Sequence, residues 1–126
     1  MKRILIVEDK PSSRELLRTV LEQLGYEVLE ARDGEEGLRL IRDHKPKLVF
    51  MDLQIPLRNG YEVLQEVRKD PGFAQLPIVA ITANAMPGDR DKTLAAGFTG
   101  YIAKPVSLAY LRSEISRLLG EEEVSQ

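Results

Sequence analysis

Cysteine is absent from the 126 residues, which removes disulfides, thiolate metal sites and thiol nucleophiles together. A basic excess is absent too: Lys plus Arg number 18 against 20 for Asp plus Glu, a formal net charge of −2. Nucleic-acid binding normally rests on a positive balance, so no nucleic-acid partner is expected. No apolar run exceeds four residues, far too short to span a bilayer, and no membrane association is expected. Met1-Lys2-Arg3 leads straight into a strand-like segment without a secretory apolar region, so the expected location is cytoplasmic. What remains is 43% hydrophobic and 30% charged, the balance of a soluble globular chain. The length suits one domain, since two would each approach the lower limit for an independent core.

The hydrophobic pattern alternates between two kinds of segment. Ile4–Val7, Leu48–Met51 and Ile78–Ile81 are short continuous apolar runs, suited to parallel strands buried on both faces. Tyr26–Ala31 and Gly100–Ala103 are weaker strand candidates. Helical patterns lie between them. Leu16, Leu17, Val20, Leu21 and Leu24 form an apolar stripe, with Ser12 and Glu15 at capping-box spacing before it and Gly25 as its stop. Asp33 and Glu36 repeat that spacing, and Pro46 ends the second helix. Asn59–Asp70 forms the third, Pro87 is placed in the first turn of the fourth with Gly97 as its stop, and Ser107 opens the fifth. The order is βα five times over, which predicts a doubly wound parallel α/β sheet with helices on both faces. Residues 1–120 are expected to form the domain and 121–126 an acidic tail carrying Glu121-Glu122-Glu123 as a solvated end.

In such a sheet, ligand chemistry gathers at the C-terminal ends of the strands. Those ends carry Glu8-Asp9, Asp52, Thr82 and Lys104-Pro105. Singly, each has an ordinary explanation: an acidic pair is commonly a helix cap, and a lone lysine is commonly a surface group. Jointly, three converging carboxylates repel one another and call for a counter-ion. A hard divalent cation with oxygen ligands is the natural one, and Mg²⁺ suits few carboxylates plus a phosphate. Three carboxylates, one Mg²⁺ and one lysine sum to zero charge, an arrangement able to admit a phosphoryl group. A carboxylate nucleophile, a metal, a cation and a hydroxyl are the parts that phosphoryl transfer needs.

Val7-Glu8-Asp9, Met51-Asp52-Leu53-Gln54-Ile55-Pro56, Ile81-Thr82-Ala83 and Lys104-Pro105 resemble the receiver domain of two-component response regulators. The resemblance runs from about Lys2 to Leu119. It implies a flavodoxin-like fold with five strands ordered 2-1-3-4-5 and a phosphorylation-controlled switch that signals by protein contacts. It also implies that Asp52 accepts a phosphoryl group from the phosphohistidine of a histidine kinase or a histidine phosphotransfer protein. Glu8, Asp9 and Asp52 would hold Mg²⁺, Asp9 directly and Glu8 through water, with Gln54 contributing its backbone carbonyl. Thr82 would be the switch hydroxyl, Lys104 the cationic clamp, Tyr101 the switch aromatic, and Lys104-Pro105 a cis peptide. Gln54 and Asn84, two residues after Asp52 and Thr82, would flank the path of the hydrolytic water.

Docking of the phosphoryl donor is expected on the first helix, with Arg14, Glu15 and Arg18 on its polar face, and on the loop at Val106. Ala83–Arg90 and Phe98–Tyr101 are similar to receivers of hybrid kinases and phosphorelay regulators. Thr99-Gly100 stands where dimerising receivers carry an acidic pair, so a monomer is expected in the unphosphorylated state. Met1 and the short tail favour a stand-alone protein over a receiver fragment of a larger hybrid histidine kinase. An Mg²⁺-dependent aspartyl phosphatase would place a second acid two residues after the nucleophile, where Gln54 stands. No turnover of an outside substrate is expected. A flavodoxin-type cofactor binder would need a phosphate loop where Glu8-Asp9-Lys10-Pro11 repels one. His44, the only histidine, reads as a solvated helix end.

Overall fold

The computed structural model describes residues 2–120. The strands are β1 (Arg3–Val7), β2 (Glu27–Ala31), β3 (Leu48–Asp52), β4 (Ile78–Thr82) and β5 (Gly100–Ala103). The helices are α1 (Pro11–Gln23), α2 (Gly34–His44), α3 (Gly60–Lys69), α4 (Asp89–Ala96) and α5 (Leu108–Leu119), with a 3-10 turn at Pro71–Phe73. The sheet is parallel throughout in the order β2-β1-β3-β4-β5, the flavodoxin-like arrangement of the sequence expectation.

The continuous apolar strands are explained by burial on both sides. Leu5, Val7, Val49, Met51, Ile78 and Ala80 point toward a core closed by Leu38 and Ile41 of α2 and Val63, Leu64 and Val67 of α3. Their neighbours Ile4, Ile6, Leu48, Phe50, Val79 and Ile81 meet Leu17 and Leu21 of α1 and Leu111 and Ile115 of α5. Glu8 stays locked to the sheet beyond β1, because its N–H donates to the Ala31 carbonyl at 3.0 Å. The C-terminal strand ends are thereby fixed side by side from β1 to β5.

Helix boundaries follow local chemistry. Asp33 caps α2 by accepting from the Glu36 N–H, and Asn59 forms a full capping box with Glu62 on α3. Gly34 packs where no side chain fits, since a Cβ there would lie 2.6 Å from the Arg58 carbonyl oxygen. Three expectations are corrected. Ser12 and Glu15 do not cap α1: Lys10 is the N-cap and Pro11 starts the helix, its fixed φ and missing N–H suiting the first helical position. Pro87 lies before α4, not in its first turn. Gly88 (φ 86°) takes the cap position, and the Asp89 carboxylate accepts from the Met86 N–H to close the turn. The apolar stripe of α1 is also narrower than the pattern suggests, because Leu16 is 64% exposed. His44 is exposed at the end of α2, and Glu121–Glu123 lie outside the described residues.

Candidate functional site

Glu8 and Asp9 follow directly on β1, the buried centre of the sheet supplies Asp52 at the end of β3, and β5 delivers Lys104 just beyond its last residue. Glu8, Asp9 and Asp52 each present a carboxylate oxygen within 4.8 Å of the others. The Lys104 Nζ donates to Glu8 Oε1 at 2.7 Å and to Asp52 Oδ2 at 3.1 Å. Asp52 accepts on its other oxygen from the Gln54 N–H at 2.8 Å, and Glu8 accepts on its other oxygen from the Lys10 N–H at 3.1 Å. The Lys104–Pro105 peptide is cis, as the resemblance implies.

Burial sets the electrostatics. The side chains of Glu8 and Asp52 are 2% and 8% exposed. Desolvation raises the Glu8 pKa above the ordinary carboxylate value; Lys104 and the Lys10 N–H pull it down, and the Asp52 charge adds to the rise. Desolvation opposes the charge of Lys104, yet Glu8 and Asp52 together hold its pKa above the ordinary lysine value. Three carboxylates facing one ammonium leave two negative charges in excess, all carried on hard oxygen donors. That donor set fits a small divalent cation such as Mg²⁺ and no soft metal.

Thr82 is buried at the end of β4, its hydroxyl accepting from the Asn84 N–H at 3.0 Å. The Asn84 amide donates to Gln54 Oε1 at 2.9 Å, a side-chain bond that straps the β4–α4 loop to the β3–α3 loop. Tyr101 is half-buried on β5, and its hydroxyl is buried without a hydrogen-bond partner. Burial, with Asp89 and Tyr61 nearby, raises its pKa.

The expected docking residues separate. Glu15 is exposed, and Arg18 pairs with Glu30 and Glu15 at the surface. Arg14 is turned inward: its side chain is 16% exposed, with Nε on Glu30 and NH1 on the Glu8 carbonyl. It is therefore no free rim charge. In its place α1 offers Leu16, which with Ser13, Val20, Pro105, Val106 and Leu108 lines a mainly apolar cavity of about 590 Å³ beside Lys104. Neither Leu16's exposure nor the Arg14–Glu30 contact could be read from spacing. One depends on where the loop after β5 lies, and the other on strand register.

This geometry has relatives. Residues 4–116 match the family model of the response regulator receiver domain. The chain is 38% identical over 120 residues to the polar-differentiation response regulator DivK of Brucella anthropi, covering 95% of this chain and 98% of that protein. Among solved structures, it resembles the receiver domain of a Pseudomonas aeruginosa sensor histidine kinase with a magnesium ion coordinated in its active-site cleft. The TM-score is 0.87 at 35% identity, over 95% of this chain and 98% of the other. A response regulator of Chloroflexus aurantiacus gives a TM-score of 0.89 at 32% identity, with the same coverage. A parallel α/β domain with an acidic pocket at its strand ends is the class that fold and site define. The chain belongs to the response regulator receiver domain family of two-component signalling. Among the described residues, no helix is long and apolar enough to cross a membrane.

Proposed function

We propose that this receiver is phosphorylated on Asp52 by a phosphohistidine of a histidine kinase or histidine phosphotransfer protein, and passes the signal on through contacts with a downstream protein. The observation that carries the reading is the convergence of Glu8, Asp9 and Asp52 with Lys104 bridging two of them. Asp52 is the nucleophile. Its carboxylate oxygen forms the bond to phosphorus as the bond from phosphorus to the donor imidazole nitrogen breaks. Its Oδ1 is held by the Gln54 N–H, so the carboxylate is oriented before the donor arrives.

Glu8, Asp9, Asp52 and the Gln54 carbonyl would hold Mg²⁺, consistent with the magnesium of the Pseudomonas receiver. When bound, the ion neutralises charge on the transferring phosphoryl oxygens. Lys104 would leave its carboxylate partners for a phosphoryl oxygen, and the Thr82 hydroxyl would donate to another. Tyr101, whose hydroxyl is buried without a hydrogen-bond partner, would change position as Thr82 turns toward the phosphoryl group. Glu15, Arg18, Leu16 and Val106 would receive the phosphoryl donor.

The test is intact-mass spectrometry after incubation with acetyl phosphate and Mg²⁺. One added phosphoryl group is expected on the wild type and none on Asp52→Asn. Equal labelling of the variant refutes the assignment.

A further inference from the structure

Arg14 lies outside the acidic pocket yet is bound to its backbone. Its NH1 donates to the Glu8 carbonyl at 3.0 Å, while its Nε donates to Glu30 Oε1 on β2 at 3.2 Å. Glu30 is gripped a second time by Arg18, whose NH1 meets Oε2 at 3.4 Å. The carbonyl that Arg14 holds belongs to the planar peptide joining Glu8 to Asp9. The Glu8 peptide nitrogen is fixed as well, by the Ala31 carbonyl of the same strand β2. The backbone carrying both acids is thus held at the Glu8 N–H by β2 directly and at the Glu8 carbonyl by Arg14 of α1, itself anchored on β2 through Glu30. Two neighbouring carboxylates facing a third would otherwise splay apart by repulsion.

We propose that Arg14, buttressed by Glu30, is a positioning residue that fixes the Glu8–Asp9 peptide and so pre-sets the divalent-cation site. This inference rests on the proposed Mg²⁺ site. The guanidinium serves because it donates in two directions at once, to a carboxylate and to a carbonyl; a lysine ammonium on a flexible stem does so less rigidly. Arg14 touches neither phosphorus nor metal, and acts through the orientation of Asp9. Residues that orient metal ligands commonly change affinity tenfold or more when replaced.

The experiment is isothermal titration of the full chain with Mg²⁺, alongside acetyl-phosphate labelling across a range of Mg²⁺ concentrations. Arg14→Gln is expected to raise the Mg²⁺ Kd by about tenfold, with Arg14→Lys and Glu30→Gln falling between it and the wild type. The Mg²⁺ concentration for half-maximal labelling should rise in step, while the rate at saturating Mg²⁺ stays near that of the wild type. Melting temperatures measured without Mg²⁺ on the same variants separate positioning from stability: Arg14→Lys keeps a charge beside Glu30 and should lie nearer the wild type in melting temperature than in Mg²⁺ affinity. Mg²⁺ affinity that merely follows the melting temperature across the variants, or wild-type affinity in Arg14→Gln, overturns the inference. If Arg14→Gln fails to fold, unchanged affinity in both Arg14→Lys and Glu30→Gln overturns it equally. Wild-type protein that binds no Mg²⁺ overturns the proposed site itself and this inference with it.

Discussion

At the scale of single residues, two neutral amides meet beside the pocket. Gln54 and Asn84 are exposed and bonded to each other across the two loops that flank Asp52. Neither side chain acts as a base near neutral pH, although each can hydrogen-bond a water. Hydrolysis of the aspartyl phosphate needs a water in line with the bond from phosphorus to Asp52. The expected lifetime is therefore neither very short nor indefinite. Asn84→Arg removes the strap and sets a long cation at the rim, where it can contact phosphoryl oxygens and obstruct that water. A phosphate-release time course in Mg²⁺ should show a longer lifetime by several-fold; an unchanged or faster rate means that these side chains do not gate the water. Both positions were legible as flanking residues, but their mutual bond was not. It joins residues thirty apart through loop geometry that no spacing rule encodes.

At the scale of elements, α1 carries three jobs. Leu17 and Leu21 close the core, Arg14 serves the pocket, and Leu16 opens onto the cavity beside Pro105 and Val106. On the proposed function, a donor histidine would approach Asp52 past this rim, and rim groups chiefly set partner choice and association rate. Arg18→Glu and Leu16→Ser should each slow transfer from a cognate phosphohistidine donor about tenfold or more, while sparing labelling by acetyl phosphate, which needs no docking surface. If both donors are slowed alike, the surface is wrongly assigned. The strands and most helices were legible because doubly buried parallel strands leave continuous apolar runs and caps leave local signatures such as Asn59-x-x-Glu62. The starts of α1 and α4 were not. There Pro11 and Gly88 compete with better-known cap signals, and the backbone conformation decides between them. The site residues were legible as strand-end positions; that Arg14 faces inward required the β1–β2 register, which sets Ile6 opposite Glu30.

At the scale of the whole molecule, charge organises association and stability alike. On α5, Arg117 is engaged internally: it pairs with the buried Glu114 and donates to the Thr99 carbonyl. With that and a net charge of −2, the unphosphorylated chain should be a monomer by light scattering and give no DNA mobility shift at physiological salt. A stable dimer or a salt-sensitive shift contradicts this.

Stability without metal should carry the cost of the crowded carboxylates. Glu8 has a raised pKa, so the folded state holds its proton more tightly than the unfolded chain. Its contribution therefore declines as pH rises from the ordinary glutamate range through the raised value, and is least favourable at neutral pH. Lys104, also raised, contributes stability that is fully present below its ordinary value of 10.5 and is lost only as pH climbs through the folded value. Near neutrality the pocket thus keeps its lysine charge while bearing the carboxylate repulsion. Urea unfolding of wild type and Glu8→Gln without divalent ions, from pH 4 to pH 8, isolates the Glu8 contribution as a difference. That difference should move in favour of Glu8→Gln as pH rises. Mg²⁺ at ten times its Kd should then stabilise the wild type by about 1.4 kcal/mol, an effect that chelation reverses. Asp9→Asn should remove most of that gain, because it deletes a charged oxygen ligand while leaving the core untouched. A pH-independent difference, or equal Mg²⁺ stabilisation of Asp9→Asn, would mean that the three carboxylates do not act as one site.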